Sequence, residues 1–183
     1  MNLPRLVAAT TAFVVVGAAS VATAVSVSGP ASVEARAWRV DPPPYRRMSP
    51  DERAAHELLD VVNEVRAEHG LAPVSWQSQV AAAAQVQAEY MASTREAGHT
   101  GPSGDAGARL TAQGYPWTTW GEVVGAGFPE PRSLVDAWMG SELHRRHLLG
   151  DFPDAGAAVV AIADGTPYWA MLFADTRDLA PTA

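Results

Sequence analysis

Residues 141–151, SELHRRHLLGD, place two of the chain's five histidines three positions apart, between Gly140 and Gly150. On a short helix that spacing puts His144 and His147 on one face, and Ser141 is the kind of residue that caps a helix start. Neutral imidazoles are common metal ligands, and a site made only of His and carboxylate suits zinc or a similar divalent ion with an open, water-filled position. The same spacing serves a helix that packs one histidine and lays the other against its C-terminal carbonyls, where positive charge is favourable.

Two further residues carry chemistry. His99 sits in a glycine-rich loop with Gly98, Gly101, Gly104 and Gly107, where core packing is hard to justify and a scaffold-held functional role is natural. Glu122 lies between Gly121 and Val123 in an apolar stretch, and a carboxylate buried there needs a partner because an uncompensated charge is costly. A histidine or a cation would serve, and a salt bridge with Arg109 is an equally good account. His56 and His69 read as solvated or capping residues of the first helix. The chain has no cysteine, no G-x-S-x-G elbow, no H-E-x-x-H pair and no phosphate loop, which weighs against a conventional enzyme.

The elements that must position these residues follow from local pattern. SPDE at 49–52 joins a Ser cap, a Pro at the first helical position and a Glu at the third, so a long helix should follow, with Leu58, Leu59, Val62 and Val65 on one face and Gly70 ending it. After the link LAPVSW, an alanine-rich helix is expected from Gln77 to about Glu96, its small side chains implying close packing. DAGARLTAQ predicts a short helix ending at Gly114, GEVVGAG a short strand, and PEPRSLVDAWMG a helix with Leu134, Val135 and Trp138 inward. AGAAVVAIA and TPYWAMLFA read as a hairpin joined at Asp164-Gly165. Helices first and strands last imply an α+β layered fold rather than a doubly wound one.

A chain of 183 residues accommodates one domain with appendages. Its formal charge of −7 argues against a nucleic-acid partner, since phosphate binding needs clustered basic charge. All thirteen basic residues are arginine, from which no function follows. Residues 1–24 carry Arg5, an apolar run and the small-x-small end Ala22-Thr23-Ala24, the pattern of a signal peptide or, uncleaved, an N-terminal membrane anchor. Residues 25–48, with Pro42 to Pro44, read as a Pro-rich linker, and the folded domain as 49–178. Either fate of the leader puts the domain outside the cytoplasm, secreted or on the cell envelope, held by packing without disulfides.

The order of these motifs across about residues 54–175, from LLDVVNEVRAEHGLAPVSW through HTGPSG, RLTAQGY, WGEVVGAG and LVDAWMGSELHRRHLL to YWAMLFA, resembles the CAP superfamily (cysteine-rich secretory, antigen 5 and pathogenesis-related proteins) in its disulfide-free bacterial SCP-like branch. The resemblance implies a three-layer α-β-α sandwich with a central antiparallel sheet and a cleft. It implies metal ligation by His99 in HT, Glu122 in GE and His144 in HR, for a divalent cation such as zinc. Ser141 stands where many eukaryotic members have glutamate, with Glu142 beside it, and Val123 and His147 stand where the bacterial pattern has asparagine. Ser141, Glu142 and His147 are therefore the additional cleft candidates.

The expected function is an exported binding module whose His/Glu cleft takes a divalent metal and an extracellular ligand, a lipid or cell-wall component. The alternatives are a metal-assisted hydrolase, for which two histidines and a glutamate are the parts, and a structural envelope domain with a vestigial cleft.

Overall fold

Helix α1 (Pro50–Glu68) begins where the cap pattern places it: Ser49 Oγ accepts from the Glu52 amide at 3.1 Å, and the Glu52 carboxylate accepts from the Ser49 amide at 2.6 Å. These reciprocal bonds satisfy donors that a helix start leaves orphaned. His69 caps the other end, with Nδ1 2.9 Å from the Val65 carbonyl, and Gly70 turns the chain at φ +71°. The coordinates, a computed structural model, describe residues 48–177. The expected leader at 1–24 and the linker at 25–48, Met48 apart, lie outside the described residues.

The other elements are β1 (Ser75–Trp76), α2 (Ser78–Thr94), α3 (Ala106–Ala112), β2 (Thr119–Ala126), α4 (Pro131–Met139), α5 (Glu142–Leu148), β3 (Asp154–Ala161) and β4 (Pro167–Asp175). The four strands form one sheet in the order β1-β3-β4-β2. Pairing is antiparallel as expected for β2, β3 and β4, but β1, expected only as a link, runs parallel to β3. β1 and β3 are joined through helices, so no hairpin forces them to reverse.

The β3–β4 hairpin also differs in its turn. Ile162 donates to the Thr166 carbonyl at 3.0 Å, Gly165 donates to the Ile162 carbonyl at 2.8 Å, and within the turn only Gly165, at φ +87°, is left-handed. A loop of three residues, 163–165, therefore replaces the two-residue Asp-Gly turn, and the Asp164 side chain instead accepts from the Thr166 amide.

β4 explains why both strands of the hairpin are apolar throughout. Trp169, Met171 and Phe173 face a core with Leu58, Val62 and Val65 of α1 and Leu134, Val135 and Trp138 of α4. Tyr168, Ala170, Leu172 and Ala174 face a second core with Val80, Ala84, Ala88 and Met91 of α2 and Leu110 of α3. Alternate side chains of one strand thus serve opposite faces, and the result is the three-layer sandwich, with helices on both sides of the sheet.

The alanines of α2 permit its close approach to the sheet. At Gly156 in β3 the approach reaches backbone: an added Cβ would overlap Ala81 N and the Val80 carbonyl carbon. Gly156→Ala is therefore expected to cost more than about 2 kcal/mol in urea unfolding, since the obstructing atoms belong to a packed helix main chain and cannot swing aside.

Candidate functional site

β2 is the terminal strand of the sheet, and this decides how the site assembles. Along it, Trp120 and Val124 pack toward α2 and α3, while Val123 belongs to the core under α1 and α4. Two glycines on that second face admit helices: an added Cβ at Gly125 would overlap Leu134 of α4, and one at Gly121 would overlap the His147 ring of α5. Around the free edge of β2, side chains from both outer layers reach the same space.

The α2–α3 side supplies His99. Its loop leaves α2 at Arg95, which turns in the left-handed region at φ 59°. The loop is held by Gln87 Nε2 donating to the Gly98 carbonyl at 2.6 Å and by the pairing of Gly101 with Gly104. Gly101 lies on the Tyr90 ring, where an added Cβ would stand 2.8 Å from Cδ1.

Beneath the loop, Arg109 of α3 is 1% exposed. Its Nη1 donates to the His99 carbonyl at 3.2 Å and to the Gly104 carbonyl at 3.0 Å, and its Nη2 donates to Glu122 Oε1. Glu122, 4% exposed, accepts from His99 Nδ1 through its other oxygen, Oε2, at 3.0 Å. A carboxylate only accepts, so His99 carries its proton on Nδ1 and leaves Nε2 for ligands. The salt bridge raised from sequence and the histidine contact are both present, one on each oxygen.

The α4–α5 side supplies the rest. α5 is anchored at its end by the buried Arg66, whose Nη1 donates to the Leu148 carbonyl at 2.7 Å and to the Gly150 carbonyl at 2.8 Å. Arg66 thereby satisfies the C-terminal carbonyl that sequence reasoning offered to a histidine. His144 is half-buried, with Nδ1 enclosed and without a hydrogen-bond partner, and His147 is half-buried against Gly121. Ser141 occupies the cap position, but its hydroxyl makes no capping bond. His56, expected to be solvated or capping, instead stacks on Trp76 with ring centroids 3.8 Å apart.

A pocket of about 460 Å³ gathers His99, Trp120, Glu122, Leu143, His144, Arg146 and His147. Four of the six candidates therefore meet, while Ser141 and Glu142 do not line it. Trp120, Leu143 and Arg146 were missed from sequence. Trp120 could have been found two positions before Glu122 on the same strand face, and Arg146 from its place between the histidines. A larger cavity, about 600 Å³, lies between α1 and α2 beside His56 and Trp76, and none of the six candidates reaches it.

The donor set does not fit a zinc-type centre of three protein ligands. Both Glu122 oxygens are engaged, by a guanidinium and an imidazole, and among the described residues no three His, Asp or Glu side chains are arranged to hold a metal ion. What the arrangement provides is a carboxylate that orients His99 from behind and a rim of imidazoles.

Arg109 and Glu122 are mutually dependent, because breaking a buried pair leaves a charge without compensation. Arg109→Met is expected to cost about 3–5 kcal/mol, and Arg109→Met with Glu122→Leu to recover much of that loss, giving a large coupling energy in a double-mutant cycle read by urea unfolding.

Burial, and then the charge of His99, hold the His144 imidazole below its ordinary range. Burial, then Arg146, His99 and His144, do the same for His147, against an opposing effect of Glu122. Both stay neutral in the fold at a pH where the unfolded chain, titrating near about 6.5, takes up protons, so their effect costs nothing above that value and destabilises as pH falls through it. The urea midpoint should fall between about pH 7.5 and 5, and less steeply in His144→Gln with His147→Gln.

The model of the family described as "CAP: Cysteine-rich secretory protein family" matches residues 59–173. An uncharacterized membrane protein of Bacillus subtilis, YlbC, is 29% identical over 105 residues, covering 56% of this chain and 30% of its own length, so the chain spans under a third of that relative. An extracellular protein containing an SCP domain from Bacillus anthracis matches in structure with a TM-score of 0.62 at 23% identity, over 70% of this chain and 44% of that one. An outer surface protein of Borrelia burgdorferi matches with a TM-score of 0.61 at 20% identity, over 64% of this chain and 89% of that one. The structural likenesses bear on the fold, and the three layers described above are shared with SCP domains. With a family match over well more than half its residues, this cysteine-free chain belongs to the cysteine-rich secretory protein (CAP) family.

Proposed function

We propose that the chain is an extracytoplasmic CAP-domain module that binds a lipid or cell-wall component in the pocket at the β2 edge, and does not hydrolyse it. The observation that carries this reading is the commitment of Glu122. It is the one carboxylate among the residues lining the pocket, and both its oxygens are bound. A general base must reach the proton it abstracts, and Glu122 is turned to Arg109 and His99 instead. The remaining lining, of three imidazoles, Arg146, Trp120 and the exposed Leu143, is a recognition surface with polar donors and apolar walls. The extracytoplasmic placement is supported by the leader pattern at 1–24 and by the extracellular and outer-surface descriptions of the proteins sharing the fold.

The test is sedimentation of the purified protein with cell walls and with lipid vesicles, alongside incubation with peptide and ester libraries. Co-sedimentation that is lost in Trp120→Ala with Leu143→Ser, and no turnover above a Glu122→Gln control, is expected. Turnover by the wild type that Glu122→Gln abolishes while its circular dichroism and urea midpoint show it still folded would establish the hydrolase in its place.

A further inference from the structure

The charges around the pocket do not balance, and their sign selects the ligand. Among the lining residues the acidic contribution is Glu122 alone, and the Arg109 guanidinium, buried directly behind it, cancels that charge. What still faces the pocket is Arg146, exposed on α5, and the imidazoles of His99, His144 and His147. Glu142, on the first turn of α5, is exposed and outside the lining. A divalent cation entering here would approach a guanidinium on the rim and a second beneath the carboxylate, and that carboxylate, the one lining the pocket, has both oxygens engaged.

From this we infer that the pocket is an anion site for a phosphoryl group, held by Arg146 and the His99, His144 and His147 imidazoles, and carried on an apolar or polymeric ligand that also covers Trp120 and Leu143. The inference rests on the binding-module reading and names the chemistry of its ligand. A tetrahedral phosphoryl oxyanion accepts from several donors at once: the Arg146 guanidinium gives charge-assisted bonds, as does His99 once its Nε2 also carries a proton beside Glu122, and His144 and His147 give neutral imidazole N–H.

One further observation agrees. Leu143, 65% exposed, is the exposed large hydrophobic residue among those described, and it stands on the rim of this pocket beside half-buried Trp120. A bare anion has no use for that surface; a phosphoryl group on an acyl chain or a polymer backbone covers it.

The test titrates the whole protein with inorganic phosphate, zinc chloride, and vesicles of phosphatidylglycerol or phosphatidylcholine, reading the histidine ring protons by NMR and heat by calorimetry. Phosphate is expected to shift His99, His144 and His147 together, and Arg146→Gln, whose exposed side chain leaves folding undisturbed, to weaken it about tenfold. Vesicle binding that requires phosphatidylglycerol and falls with Leu143→Ser assigns a lipid source; phosphate binding with co-sedimentation on cell walls but not on vesicles assigns a polymeric source, and both support the inference. Stoichiometric zinc binding with no phosphate response overturns it, as does a phosphate response indifferent to Arg146→Gln and His144→Gln. If walls or vesicles sediment the protein while phosphate shifts no histidine, the anion site falls and the binding module stands. The reverse pattern sinks the module and keeps the site.

Discussion

The Arg109–Glu122 ion pair is the interaction on which the site depends. Burying either charge alone costs several kcal/mol, and their attraction offsets this only when the remaining donors and acceptors find partners. Here nearly all do: the guanidinium holds two loop carbonyls with one nitrogen and the carboxylate with the other, and the second carboxylate oxygen takes His99. The pair therefore fixes three things together, namely the loop at both His99 and Gly104, the tautomer of His99, and the register of α3 against β2. Its contribution is position more than stability, because a well-packed apolar pair would hold the layers at least as firmly.

The edge position of β2 supplies the second condition. Inside a sheet, a strand's two faces are separated by its neighbours, and side chains from opposite layers cannot meet. At the edge they can, provided the helices come close enough to the strand. Gly121 and Gly125 provide that approach on one face, while Glu122 and Trp120 occupy the other. Arg66 does for α5 what Arg109 does for the loop, tying a helix end to a distant element through main-chain carbonyls. Two buried arginines thus set the two walls of the pocket, which is buried behind and exposed at the rim.

This arrangement also changes what a family resemblance means at the level of chemistry. A His/Glu/His set reads from sequence as metal ligands, and each of the three residues does reach the pocket. The carboxylate, however, is turned toward a guanidinium, so its charge is neutralised inside the protein. A donor set is defined by the atoms left free, and here those are imidazole nitrogens and Arg146.

Local pattern made the elements legible. The Ser49–Glu52 cap, the helical spacing of Leu58 to Val65, the Gly70 stop and the apolar hairpin strands each act within a few residues, and sequence determined them because the forces involved are short-range. The layered class followed from the order of elements, and His99 stood out because a loop histidine among glycines has no packing role. Tertiary structure alone decided the rest. The parallel pairing of β1, the three-residue turn at 163–165, the stacking of His56 on Trp76 and the choice of Arg66 over a histidine for the α5 carbonyls all join residues by contacts the local pattern does not specify. The same holds for Glu122: sequence showed that it needed a partner, but not that it would take two, since partner choice depends on which charges the fold buries side by side.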